Sequence, residues 1–83
     1  MTSPTQKGAK QIESVYRLLG ERVETIRNTL GWTQADLATR TGLSRASIAN
    51  LETGRQRLMM HHVEVVAHAF MTTPKHLMRG IWT

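Results

Sequence analysis

Apolar residues recur along the first third of the chain at spacings of three and four: Ile12, Val15, Leu19, Val23, Ile26 and Leu30. That is the period of one amphipathic helix, predicted to run from Gln11 to Leu30 and to stop at Gly31. Trp32, just past the stop, is expected to pack as a staple over the next helix, which Thr33 caps. There Leu37, Ala38 and Leu43 are apolar among the polar Gln34, Asp36, Thr39 and Arg40, which gives a short helix a single inward face. Ala38 is small where another helix would cross, and a larger side chain would hold the backbones apart. Gly42 tolerates positive φ and lets the chain reverse. Ser44 offers an N-cap hydroxyl to a third helix, whose Ile48 and Leu51 place the next buried face at i and i+3.

Further on, Val63, Val66, Ala67 and Phe70 predict a fourth helix over Met59 to Met71, broken at Thr72 and Thr73. Thr73 then caps a short fifth helix opening at Pro74, a residue suited to a first turn, with Leu77 closing the core and Gly80 ending it. The expectation is therefore an all-α fold of five helices in one domain over residues 11–83. Ahead of it, MTSPTQKGAK is small, polar and basic, and is expected to form a flexible arm over residues 1–10. Such an arm suits a phosphate or minor-groove contact, or is a disordered tail of no consequence.

Charge narrows the partner. The 83 residues carry a formal net charge of +5, which favours a polyanion. Between Arg40 and Met60 the charged side chains are Arg40, Arg45, Arg55 and Arg57 against Glu52 alone, while Glu13, Glu21 and Glu24 gather on the first helix. The exposed face of the third helix carries Arg45, Ala46, Ser47, Ala49 and Asn50. An arginine at the start of a short helix and an amide one turn on have the chemistry to read base edges in a major groove. Arg45 is expected at a guanine N7/O6 edge, Asn50 at an adenine or a neighbouring phosphate, and Ala46 at an apolar contact such as a thymine methyl.

The run from Thr33 to Arg55, TQADLATRTGLSRASIANLETGR, closely resembles the helix-turn-helix of lambdoid phage repressors and Cro proteins, the xenobiotic-response-element type of bacterial regulator. The resemblance rests on Gln34, Leu37, Ala38, Gly42, Leu43, Ile48, Leu51, the Leu51-Glu52-x-Gly54 end of the third helix and Arg27 upstream, and it extends from about Leu19 to Leu77. It implies a five-helix lambda-repressor-like DNA-binding domain with its hairpin over residues 33–54. It also implies that Arg27 and Glu52 pair across two helices, and that Ser47, Thr53, Arg55 and Arg57 lie along phosphates. Gln34, at a helix start, is expected at a phosphate as well, helped by nearby backbone N–H groups. Ala46 and Ala49 depart from the longer polar side chains common at those family positions, which shifts weight from base contacts to DNA shape.

Other chemistries find little support. His61, His62, His68 and His76 lack a metal-binding spacing and any cysteine to complete a zinc set, so no metal site is expected. Met59, Met60, Met71 and Met78 suit gap-filling in a core as well as an adaptable surface. Ser44 and Ser47 have no acid placed to orient a base, and no glycine loop cradles a phosphate. Neither catalytic residues nor a cofactor are expected, and the chain is read as no enzyme.

The expected function is a sequence-specific DNA-binding transcriptional regulator, a repressor binding double-stranded DNA at a two-fold-related operator as a homodimer. The apolar C-terminal material, Leu58, Met59, Met78, Ile81 and Trp82, is the expected dimer surface. Two other readings stay open: an antitoxin that binds both DNA and a toxin protein, and a pure protein-interaction module. No apolar run approaches the about 18–20 residues that span a bilayer, and the absence of cysteine suits a reducing compartment. A bacterial or phage cytoplasmic protein associated with the nucleoid is expected.

Overall fold

A computed structural model describes the backbone at residues 4–55 and 60–81 and the side chains at residues 14–55 and 60–81. The order is α1 (Pro4–Thr29), α2 (Gln34–Thr41), α3 (Arg45–Glu52), α4 (Met60–Ala69) and α5 (Pro74–Leu77), with no strand among the described residues. The fold is all-α, as the apolar periods predict.

Helix α1 begins at Pro4 rather than at Gln11, so the backbone of residues 4–10, expected to form an arm, is helical. Proline suits a first turn, and Gln6, Lys7, Ala9 and Lys10 are good helix formers that outweigh the single Gly8. Leu30, counted with the inward stripe, is 47% exposed because it lies past the end of α1 in the turn to Gly31. The other ends differ modestly. Helix α4 stops at Ala69, two residues short of Met71, where φ is 59°. The Thr72 N–H reaches back to the Ala67 carbonyl at 2.9 Å, so Met71 takes the left-handed cap position usually given to glycine. Helix α5 is a single turn ending at Leu77 and not a helix that reaches Gly80.

One core joins the helices. Leu19 and Val23 of α1, Leu37 and Ala38 of α2, Ile48 and Leu51 of α3, Val63, Val66 and Ala67 of α4, and Leu77 of α5 are all buried. Each comes from the apolar stripe its helix shows in sequence. Ile81 joins them at 9% exposure, and this corrects its assignment to a dimer surface: its side chain is spent on the core of its own chain. A turn bond from the Ile81 N–H to the Met78 carbonyl (3.0 Å) folds the segment back. The Arg22 guanidinium clamps it by donating to the carbonyls of Leu77, at 3.0 Å, and Arg79.

Candidate nucleic-acid interface

Local chemistry sets both ends of the α2–α3 hairpin. At the start of α2 the Asp36 N–H donates to Thr33 Oγ1 (3.0 Å) and the Thr33 N–H donates to Asp36 Oδ2 (2.8 Å), a reciprocal capping box. Those Thr33 bonds, with help from Arg40, hold the Asp36 carboxyl below its ordinary pKa. Gly42 closes α2 at φ 76°, donating its N–H to the Ala38 carbonyl at 2.9 Å. Ser44 then caps α3 by accepting the Ser47 N–H at 3.0 Å.

With its ends fixed, α3 lies over the core on Ile48 and Leu51 and turns Arg45, Ala46 and Asn50 out to solvent. These are the three expected base readers, and they share the accessible side of one short helix. Ser47 is half-buried, its hydroxyl bonded to that of Ser44 (3.0 Å). Thr53 and Arg55 are exposed at the far end of α3, where the Thr53 hydroxyl donates back to Ala49 (3.1 Å) and Asn50 (3.2 Å). Arg57 lies outside the described residues.

Beneath this surface a charged network ties three helices. Arg27 Nε donates to Glu52 Oε2 at 2.7 Å, Arg27 Nη2 donates to Glu52 Oε1 at 3.1 Å, and Arg27 Nη1 donates to the Trp32 carbonyl at 2.6 Å. The Glu52 side chain is 1% exposed and that of Arg27 11%. The hydrogen bond to Glu52 raises the Arg27 pKa against the opposing effect of burial, so the guanidinium stays charged. Gln34 Nε2 also donates to Glu52 Oε1, at 3.1 Å. The side chain expected at a phosphate therefore has one amide proton committed inward and keeps the other N–H and its carbonyl for an outside partner.

Other features were not legible in sequence. Gly20, inside α1, has no room for a side chain: a Cβ there would lie 2.4 Å from the Leu51 carbonyl oxygen and 2.6 Å from that of Glu52. Gly54, at φ 71°, lets its turn approach α1, where a Cβ would stand 3.0 Å from the Arg17 Cα. That approach brings the α1 backbone at Arg17, an exposed residue, beside the turn leading to Arg55. Gly20, between Leu19 and Glu21, adds no side chain to the apolar stripe, so the periodicity gives no sign of such a crossing. Trp32 packs on Phe70 with ring centroids 5.8 Å apart, and the Arg40 guanidinium lies 4.0 Å over the indole. The tryptophan thus joins the linker to α4 and holds Arg40 in a cation–π contact at the end of α2.

His61, His68 and His76 are exposed and His62 is half-buried. No helix among the described residues is long and apolar enough to cross a membrane.

A family model described as a helix-turn-helix domain matches residues 18–79. Among solved structures, the chain is similar to the restriction-modification controller protein C.AhdI from Aeromonas hydrophila, with 25% identity and a TM-score of 0.69 over 83% of this chain and 97% of that one. No curated protein matches the sequence.

Proposed function

The chain belongs to the helix-turn-helix domain family and is a DNA-binding transcription regulator; within that role we propose that it represses from a two-fold-related operator, which it binds as a homodimer. The carrying observation is the presentation of α3. Its apolar face is locked by Ile48, Leu51 and the Arg27–Glu52 pair, while Arg45, Ala46 and Asn50 stand exposed on the other side. A helix fixed by its caps and held from behind meets a groove without first having to order itself, so less binding free energy goes into arranging it.

In this reading Arg45 forms a bidentate contact with a guanine and Asn50 contacts an adenine or the adjoining phosphate. Ala46 fills space beside a thymine methyl. Gln34, Ser47, Thr53, Arg55 and Arg57 hold the backbone, Gln34 by donating the amide N–H that Glu52 does not take. With Ala46 and Ala49 contributing no hydrogen bonds, part of the specificity comes from the deformability of the DNA. The similar Aeromonas hydrophila protein is a restriction-modification controller, which supports a role in regulating transcription.

The case for two copies is geometric. One short helix spans few base pairs, and paired reading helices sit about 34–36 Å apart, one turn of duplex. With Ile81 buried in its own core, the proposed contact is left to Met78, which is half-buried, and to Leu58, Met59 and Trp82, which lie outside the described residues. Selection of bound sequences from a random DNA pool tests the whole reading. Enrichment of two related half-sites about 10 base pairs apart, centre to centre, is expected. A single unsymmetrical half-site overturns the dimer, and no enrichment overturns sequence-specific binding.

A further inference from the structure

Between α1 and the chain around α5 lies a cleft of about 590 Å³, whose walls include Arg22 and Ile26 of α1, Thr72 ahead of α5, and His76 and Arg79 in and beyond it. The Arg22 guanidinium reaches across it. Both hydrogens of Nη1 go to backbone carbonyls, those of Leu77 and Arg79, while Nη2 and Nε have no partner among the described residues. No carboxylate among those residues pairs with it, although Arg22 is half-buried. A guanidinium drawn partly out of water and met only by neutral carbonyls is a charge that the fold leaves uncompensated. Thr72, also half-buried, adds a hydroxyl without a described partner, and exposed Arg79 brings a second cation to the same walls. We propose that this cleft binds a small phosphomonoester, with the phosphate held by Arg22, Arg79 and the Thr72 hydroxyl and the organic group along Ile26.

Two guanidiniums around one anion favour a doubly charged group over a carboxylate, and the terminal oxygens of a phosphate accept from both and from a hydroxyl at once. The source is a free small molecule and not the duplex on α3. At about 3.6 residues per turn, Arg22 leaves α1 roughly 200° around from Gly20, the point where α3 crosses. A duplex lying on α3 is therefore on the opposite side of α1 from this cleft. The frame is also already assembled. Nη1 of Arg22 ties α1 to the turn that carries Arg79, the Thr73 hydroxyl accepts the His76 N–H at 3.1 Å, and the Thr72 N–H is held by the Ala67 carbonyl at 2.9 Å. An anion entering the cleft has little backbone to order.

The test is amide NMR titration of the full chain with phenyl phosphate, with benzoate at matched ionic strength as the control. The amides of Ile26, Thr72, His76 and Arg79 should shift saturably with one dissociation constant, at least about fivefold tighter for phenyl phosphate than for benzoate. Arg79→Glu should weaken phenyl phosphate by at least about tenfold, while Lys75→Glu, the same charge change at an exposed residue outside this cleft, should weaken it by no more than about twofold. The Arg22 clamp holds the Arg79 carbonyl, which the substitution keeps, so the turn survives it. No saturable shift, benzoate binding as tight as phenyl phosphate, or equal losses in the two variants overturns the proposal. Titration with duplex DNA is the second arm, expected to move the amides of Arg45, Ala46 and Asn50 and not those of the cleft. A duplex that moves the cleft amides while phenyl phosphate does not makes the cleft a DNA contact and overturns the small-molecule site. A chain that binds phenyl phosphate here but no duplex refutes the regulatory reading and leaves this site standing.

Discussion

Glu52 is gripped by Arg27 through two charge-assisted hydrogen bonds, at 2.7 and 3.1 Å, with the carboxylate side chain 1% exposed. The pair joins α1 to the last residue of α3. Its value lies less in net attraction than in what a lone partner would suffer. Arg27 without Glu52 is a guanidinium with 11% side-chain exposure and one remaining bond, to the Trp32 carbonyl. Glu52→Ala should therefore destabilise by about 3–5 kcal/mol, and the double variant Glu52→Ala/Arg27→Met by clearly less than the sum of the two single changes. Urea unfolding of the three variants measures this. Strict additivity would show that the two groups do not interact.

Acid weakens the other end of the hairpin. The Thr33 bonds, backbone first, hold the Asp36 carboxyl below its ordinary pKa. A depressed folded value means stabilisation that is complete above the unfolded value, near pH 4, and is lost as pH falls through the folded one. The urea midpoint of the wild type should therefore drop between about pH 5 and pH 2, and Asp36→Asn should flatten part of that drop. An acid profile in Asp36→Asn that parallels the wild type would remove the capping box as the cause.

The hairpin was legible because its determinants are local. Thr33, Gly42 and Ser44 each act on backbone groups within a few residues, and the sequence places them where the structure uses them. The core was legible for a similar reason: a stripe at helical spacing has to face something apolar. What escaped depends on neighbours remote in the chain. Gly20 matters only because α3 crosses there, Gln34 bonds Glu52 across 18 positions, and Ile81 turns inward because Arg22 clamps the preceding carbonyls. The helical backbone of residues 4–10 carries no apolar stripe of its own, and composition alone does not distinguish it from an arm.

Specificity separates two arginines that composition treats alike. Arg45 stands exposed at the first position of α3 and Arg55 beyond its end. Arg45→Ala should cost about 1–3 kcal/mol at a cognate site and relax preference at one base position. Arg55→Ala should weaken all sequences alike and flatten log K against log salt by roughly one unit. Binding curves on cognate and scrambled duplexes at several salt concentrations distinguish them. If both variants lose affinity uniformly, Arg45 is a phosphate contact and not a base reader.

Two glycines give opposite accounts of why a side chain is excluded, and alanine at each separates them. Gly42 has φ 76° and nothing within 4 Å of a built Cβ, so Gly42→Ala meets only the backbone preference against left-handed conformations, about 1–2 kcal/mol. Gly20 has the reverse problem. It sits in regular helix, where alanine is favoured by about 1 kcal/mol, but its Cβ would overlap backbone atoms of Leu51 and Glu52 at 2.4 to 2.8 Å. Backbone cannot rotate aside as a side-chain end does, so α3 would have to move off α1 and strain the Arg27–Glu52 bonds. Gly20→Ala should accordingly destabilise by at least about 2 kcal/mol despite its better helix propensity. It should also lower DNA affinity in the fraction that still folds, whereas Gly42→Ala leaves the affinity of the folded protein nearly unchanged. Thermal unfolding and DNA titration of both variants check this. A Gly20→Ala protein as stable as the wild type would show that α1 and α3 do not approach so closely, and the rigid backing proposed for the reading helix would fall with it.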